Sequence, residues 1–199
     1  MSETHSKQAD GRNERSRTSR AKILQATLDL ILQEARQPSA KEVADLANVG
    51  LRSVFRHFSD MESLFADLNT LVWAQADKDY TISPETFELP LAGRVQALIS
   101  WRLRLFANYG NLIETSTHMS HHSPMVKSQY AGMIKFLHRQ AINVIPELEQ
   151  LNREQLGHAH SVVSFEFFHY NRVLCNRPIE EVEALCLAAL TLILSTRDH

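Results

Sequence analysis

Apolar residues recur at spacings of three and four along nearly the whole chain, and no stretch alternates apolar and polar positions between turn residues. An all-α fold is expected. The first helix is predicted from Ser19 to Glu34, with Ile23, Ala26, Thr27, Leu30 and Ile31 on one face. It stops before Gln37-Pro38, because proline disfavours helical backbone at the residue preceding it. Ser39 opens a second helix with its hydroxyl as cap, and Glu42, three residues on, closes the reciprocal capping box. This short helix is predicted to turn Val43, Ala44 and Leu46 inward and to end at Asn48, a residue type that tolerates left-handed backbone. After a tight turn at Gly50, a third helix from Leu51 to His57 offers Leu51, Val54, Phe55 and Phe58 for packing. Arg52, Ser53, Arg56 and His57 remain as its polar face.

Two short helices joined by a tight turn, behind a longer one, make a helix-turn-helix arrangement in which the second short helix is the reader. Asp60 caps a fourth helix through Leu64, Phe65, Leu68, Leu71 and Val72 to Asp79, and Thr81–Pro90 is a connection. Further helices are predicted over Leu91–Tyr109, Asn111–Met119, Pro124–Val144, Arg153–Leu174 and Pro178–Thr196. No internal repeat interrupts this order.

The 199 residues are 44% hydrophobic and 22% charged, the balance of a folded chain. No apolar run approaches the ~18 residues of a membrane span, and the polar Met1–Arg20 stretch has no signal-peptide core. A cytoplasmic protein is expected. Cys175 and Cys186 are too few for a disulfide framework. The net charge of −2 conceals an asymmetry: residues 1–60 carry ten Lys and Arg against eight Asp and Glu, whereas residues 61–199 carry eleven against fifteen. Arg12, Arg15, Arg17, Arg20 and Lys22 crowd eleven positions with one acid, Glu14, so a basic arm over residues 1–20 leads a mildly acidic body.

Over Ala21–Leu68 the sequence resembles the TetR family of one-component transcriptional regulators. The resemblance rests on Ile23-Leu24-Gln25-Ala26 in the first helix, Val43-Ala44-Asp45-Leu46-Ala47-Asn48-Val49-Gly50 across the turn, and Ser53-Val54-Phe55-Arg56-His57-Phe58-Ser59-Asp60-Met61-Glu62-Ser63-Leu64 in the third helix and beyond. Four positions depart from the family's pattern. Asn48 replaces the turn glycine, Gly50 the capping serine, Phe55 a tyrosine whose hydroxyl reaches phosphate, and Met61 a lysine. The last two remove phosphate contacts, which shifts the electrostatic share of DNA affinity to the arm and to Arg52 or Arg56.

The resemblance implies a helix-turn-helix DNA-binding domain over 21–59 and a helical effector-binding and dimerisation domain over 60–199. Double-stranded DNA with a palindromic operator is the expected partner, contacted by Arg17, Arg20, Ser39, Arg52, Ser53, Phe55, Arg56 and His57. Arg52 and Arg56 suit guanine edges, Ser53 base or backbone, and His57 a phosphate, while Phe55 and Phe58 are core residues first. The last two helices, apolar around more than one face at Val162, Val163, Phe165, Phe167 and Phe168 and at Val182, Leu185, Leu187, Leu190, Leu192 and Ile193, would pair with their mates in a homodimer. The effector cavity would lie between residues 91 and 144. Trp101, Arg102, Phe106, Tyr109, His118, Met119, Met133, Phe165 and Glu166 are its candidate lining, suited to an apolar or amphipathic small molecule. Met125, Tyr130 and Phe136 are further aromatic and Met positions of this kind. Arg102 and Arg104 interrupt an apolar helix, and Glu166 interrupts Val162-Val163-Ser164-Phe165-Glu166-Phe167-Phe168, so a partner Arg or His is expected for Glu166.

Two other readings remain. His118 and His122 stand one helical turn apart if the helix continues, the spacing of a transition-metal site in a metal-sensing regulator, with His121 alongside. Glu166 and His169 have the Glu-x-x-His spacing of a di-iron helical-bundle enzyme, but the motif occurs once where such a site needs two. Without a phosphate loop or nucleophile context, no enzyme and no cofactor is expected.

Overall fold

The structure, a computed structural model, describes residues 3–79 and 81–196; the side chains of residues 3–13, 77 and 79 lie outside it, and with them the expected role of Arg12. Its helices are α1 (Glu3–Glu34), α2 (Ala40–Leu46), α3 (Leu51–His57), α4 (Met61–Asp79), α5 (Leu91–Ser120), α6 (Pro124–Val144), α7 (Arg153–Val162), α8 (Phe165–His169) and α9 (Ile179–Ser195). Short 3-10 turns over Pro84–Glu88 and Pro146–Gln150 join α4 to α5 and α6 to α7, and a π turn over Tyr170–Leu174 follows α8. The described residues contain no strand.

Three boundaries differ from the sequence expectation. The helix expected to start at Ser19 already runs from Glu3, because the Thr18 and Ser19 hydroxyls bond back to the carbonyls of Glu14 and Arg15, both at 2.9 Å, instead of capping a new start. Gly110, expected to separate two helices, lies inside the continuous α5. A single mid-helix glycine costs only about 1 kcal/mol relative to alanine, and the Phe165 ring packs over it, 3.5 Å from where a Cβ would stand. The helix expected over Arg153–Leu174 breaks instead at Val163, where the Ser164 hydroxyl accepts from the Phe167 amide at 3.2 Å and caps α8.

Buried side chains form two clusters that meet along α4. Ile23, Ile31, Val43, Ala44, Val54 and Phe58 pack with Leu64, Phe65, Leu68 and Val72 of α4 and with Leu112 and Val126 of α5 and α6. The larger cluster joins α5–α9 around Leu98, Ile99, Phe106, Ile145, Phe165, Val182 and Leu190, and takes in Ala76 near the end of α4. Both clusters thus draw on one helix. Three inward-facing expectations fail: Leu46, Leu51 and Phe55 are about half exposed, because helices of seven residues have two turns and only one or two positions in each reach the core.

Side-chain bonds fasten α4 and α1 to the body. Gln129 Nε2 donates to the Ala66 carbonyl at 2.9 Å and the Thr70 hydroxyl at 3.2 Å, Ser116 Oγ donates to Asn69, and the Ser123 hydroxyl bonds to the Glu62 carboxylate. Asn111 Nδ2 donates to the Leu32 carbonyl at 2.7 Å, tying α1 to α5.

Candidate functional site

The helix-turn-helix is built by local chemistry. The Ser39 hydroxyl accepts from the Glu42 amide at 3.3 Å and the Glu42 carboxylate accepts from the Ser39 amide at 2.7 Å, closing the expected box. Arg36 donates to the same carboxylate at 2.6 Å, and this bond, with those from Ser39, holds the Glu42 pKa down to about 2. Asn48 adopts φ 52°, the left-handed turn its amide side chain tolerates. α3 is anchored by Val54 and by Phe58 just beyond it, which leaves Arg52, Phe55 and Arg56 on the outer face and Ser53 half-buried.

Phe55, expected in the core first, is 49% exposed. The nitrogen Nε2 of His57 is buried without a partner, and burial is the main cause lowering its pKa, followed by the charges of Arg56 and Arg20. That nitrogen faces protein rather than solvent. Arg20 donates to Asp67 at 2.6 Å and stacks over the Phe58 ring at 5.1 Å, so it braces α1 against α4 and the end of α3. Arg17 is exposed on α1, and the hydroxyl of Ser39 is engaged as a cap.

The body holds three sizeable cavities. One, of about 420 Å³, lies between α4, α5 and α6 and is lined by Asn69, Thr70, Trp73, Trp101, Leu105, Gln129, Met133 and Phe136. A second, of about 510 Å³, lies between α5, α6, α7 and α8, with Arg102, Tyr130, Met133, Leu137, His138, His160, Phe165 and Glu166 on its walls. A third, of about 460 Å³, is more polar and sits where the end of α1 meets α4 and α5, beside Arg36, Glu62, His118, Met119 and His122.

The candidate ligand residues therefore divide. Trp101 and Met133 border the first cavity; Arg102, Met133, Phe165 and Glu166 border the second; His118 and Met119 border the third. Phe106 is core, its ring centroid 5.6 Å from both Phe165 and Phe168, and Tyr109 packs 6.4 Å from Trp73. Met125 is exposed.

Arg102 is 2% exposed, whereas Arg104, two residues on, points to solvent. The Arg102 guanidinium stacks 5.2 Å from Trp101, and its Nη2 donates to the Leu137 carbonyl. Its Nε and Nη1 have no partner. Burial lowers its pKa to about 9, so it remains a cation at neutral pH. Glu166 is exposed at the cavity rim and accepts from the Tyr130 hydroxyl at 2.8 Å rather than from the Arg or His expected.

Sequence reasoning missed two groups. Asn69, Trp73 and Gln129 line the first cavity, signalled only by an amide and a tryptophan inside the fourth helical pattern. His138 and His160 stack face to face in the second, centroids 3.7 Å apart and planes 6° apart. Burial lowers the pKa of both, to about 4 for His160, with Arg102 adding to each.

The metal readings lose their geometry. α5 ends at Ser120, so His118 is helical and His122 is not; His118, His121 and His122 are exposed, and no group of three His, Cys, Asp or Glu among the described residues is placed to hold a metal. Glu166 faces the rim while His169 approaches Glu114 at 3.9 Å. Among the described residues no helix is long and apolar enough to cross a membrane.

Tyr170, Val173 and Leu174 of the π turn and Leu192 of α9 are each more than half exposed, Leu174 by 68%. Tyr170, Val173 and Leu174 lie at the start of α9 and Leu192 toward its end, and among the described residues these side chains have no cover.

No protein-family model and no curated protein matches the sequence. Among solved structures, a chain described as a TetR-family transcriptional regulator from Mesorhizobium loti superposes with a TM-score of 0.68 at 16% identity, over 91% of this chain and 97% of that one. The chain has the TetR fold. The match runs through both clusters of the structure, so the TetR architecture extends well beyond the Ala21–Leu68 stretch that carries the sequence resemblance. In this TetR-type frame α2 and α3 form the helix-turn-helix, and α5–α9 form the body behind it.

Proposed function

We propose that the chain is a homodimeric, ligand-responsive transcriptional regulator, a repressor released from a palindromic operator by a small molecule. Residues 21–59 form the DNA-binding domain and residues 60–199 the effector-binding and dimerisation domain. The observation that carries the reading is the double duty of α4: Leu64, Phe65, Leu68 and Val72 pack under the helix-turn-helix, while Asn69, Thr70, Trp73 and Ala76 wall the apolar cavity. A ligand that reshapes that cavity moves the helix on which the reading head rests. The likeness to a TetR-family regulator supports the same reading.

Arg52 and Arg56, exposed on α3, read base edges in the major groove; Arg17 supplies backbone affinity. Phe55, exposed beside them, contacts the thymine methyl or sugar face. Arg20 and Ser39 act by holding α1 and α2 in place beside the duplex, and Ser53 and His57 lie at the edge of the contact. The exposed apolar side chains at the two ends of α9, Tyr170, Val173 and Leu174 at one and Leu192 toward the other, are covered by their mates in a second subunit, which sets the two reader helices on half-sites one helical turn apart or a multiple of it. Work on DNA accords with the cytoplasmic location expected from the sequence.

Operator and effector oppose each other's binding reciprocally, as any two ligands that select different states must. The test is selection of bound sequences from a random DNA pool, using protein refolded from denaturant to strip any ligand, alongside Arg52→Ala and Arg56→Ala. A palindromic consensus is expected, and each variant should lose about 1–3 kcal/mol on it and relax its base preference. Recovery of no consensus from the stripped protein refutes the reading.

A further inference from the structure

A buried cation needs an anion, and the cavity between α5, α6, α7 and α8 holds one cation that has none. Arg102 is 2% exposed and lines this cavity, yet among the described residues it forms no ion pair. Its single hydrogen bond is to the Leu137 carbonyl, and Nε and Nη1 are left without acceptors. Buried guanidinium groups are ordinarily paired with carboxylates, because only a charge-assisted bond offsets the loss of hydration.

The acidic side chain on the cavity wall is Glu166, and it sits exposed at the rim, bonded to the Tyr130 hydroxyl and not to Arg102. The same cavity is lined by a second unpaired polar atom, Nε2 of His160, also buried without a partner, on a ring stacked against His138. The remaining wall is apolar, from Ile134, Leu137, Val163, Phe165 and Phe167. The site therefore has a buried cation with free donors, a neutral imidazole, and an apolar chamber of about 510 Å³.

We propose that this cavity is the site of an organic carboxylate, whose carboxylate accepts from Nε and Nη1 of Arg102 and whose apolar body lies against Phe165 and Ile134. The inference goes beyond the ligand-responsive reading given above: this cavity is separate from the one that α4 walls, and Met133 borders both. The carboxylate is the missing counter-ion, and the imidazole Nε2 of His160 is the second polar atom that it brings into use. A neutral molecule of the same shape leaves the cation unpaired and gains only the apolar contacts. Discrimination by charge at constant shape is thus the signature of the site.

The test compares matched pairs on the full-length protein: 4-phenylbutyrate against 4-phenylbutyramide, octanoate against octanamide, and benzoate against benzamide, with inorganic phosphate as a non-carboxylate anion. Thermal melting and titration calorimetry are read for the wild type and for Arg102→Met. At least one carboxylate is expected to raise the wild-type melting temperature and to bind at least tenfold more tightly than its amide, with that advantage lost in Arg102→Met. If Arg102→Met fails to fold, the wild-type comparison of acid with amide decides alone. Equal binding of acid and amide overturns the proposal while leaving an effector cavity in place. Protection by phosphate and by no carboxylate overturns the ligand class, and protection by no probe overturns the site. None of these results bears on the operator selection, so failure here and failure of the regulator reading are read separately.

Discussion

Replacing Arg102 with methionine should stabilise the ligand-free protein. A buried cation held at a pKa of about 9 has lost, at about 1.4 kcal/mol per pH unit, about 5 kcal/mol relative to the same group in an unfolded chain. Two favourable contacts offset part of this: the charge-assisted bond to the Leu137 carbonyl, worth about 1.5–3 kcal/mol, and the stacking on Trp101, worth about 0.5–2 kcal/mol. Methionine fills the guanidinium's stem volume and leaves the Leu137 carbonyl its helical bond. The net gain spans about 0–3 kcal/mol with a midpoint of about 1.5, and the midpoint corresponds to roughly 3–6 °C in melting temperature for a chain of this size.

Calorimetric melting at pH 7, at one protein concentration and without carboxylate buffers, measures it. The pH dependence fixes the sign independently. Because folding lowers this pKa, the penalty is complete below about pH 9 and is relieved as pH rises above it, so the advantage of Arg102→Met is constant from pH 6 to 8 and shrinks above about 9. A variant less stable than the wild type at pH 7 would show that the guanidinium is already satisfied in the empty protein, and would refute the argument from isolation.

Ser39→Ala should cost about 1 kcal/mol in urea unfolding by removing half of the capping box. The Glu42 contribution to the same turn is complete above the ordinary carboxylate range and is lost as pH falls from there toward 2, which acid titration of the helical signal will follow. Leu174→Asp and Leu192→Asp each place a charge on an exposed apolar position of the proposed interface; sedimentation should find dissociated monomers, and an intact dimer in both variants would refute the assigned interface.

What was legible in the sequence was what neighbouring residues decide among themselves. The Ser39/Glu42 box, the left-handed Asn48, Pro38 and Pro124 each act within a turn of their own position, and α2, α3 and α6 lie where those signals put them. Gly110 misled because its local cost is small and the Phe165 ring that covers it comes from 55 residues away along the chain. Ser164 misled in the opposite sense, since its capping role appears only once Val163 leaves the helix. The candidate site was legible in kind and not in pairing. Arg102 and Arg104 read alike in an apolar stretch, yet two residues of helix separate them by more than half a turn, and one is buried while the other is solvated. Nothing local says that no acid on α6, α7 or α8 meets Arg102.

The polar side chains that grip α4 also decide how it can travel. Gln129 holds Ala66 and Thr70, Ser116 holds Asn69, Ser123 holds Glu62 and Arg20 holds Asp67, each a donor or acceptor matched to one position along the helix. A slide of a few tenths of a turn would strip several of these bonds at once with nothing nearby to replace them, whereas a shift that carries each grip to another polar position restores some of the count. The helix is therefore held like a bolt in a notch: small displacements from this seat lose several bonds together rather than one at a time. On the proposed reading each molecule would answer its ligand as an all-or-none event, and a graded response at the level of a cell would be a count of molecules that have answered.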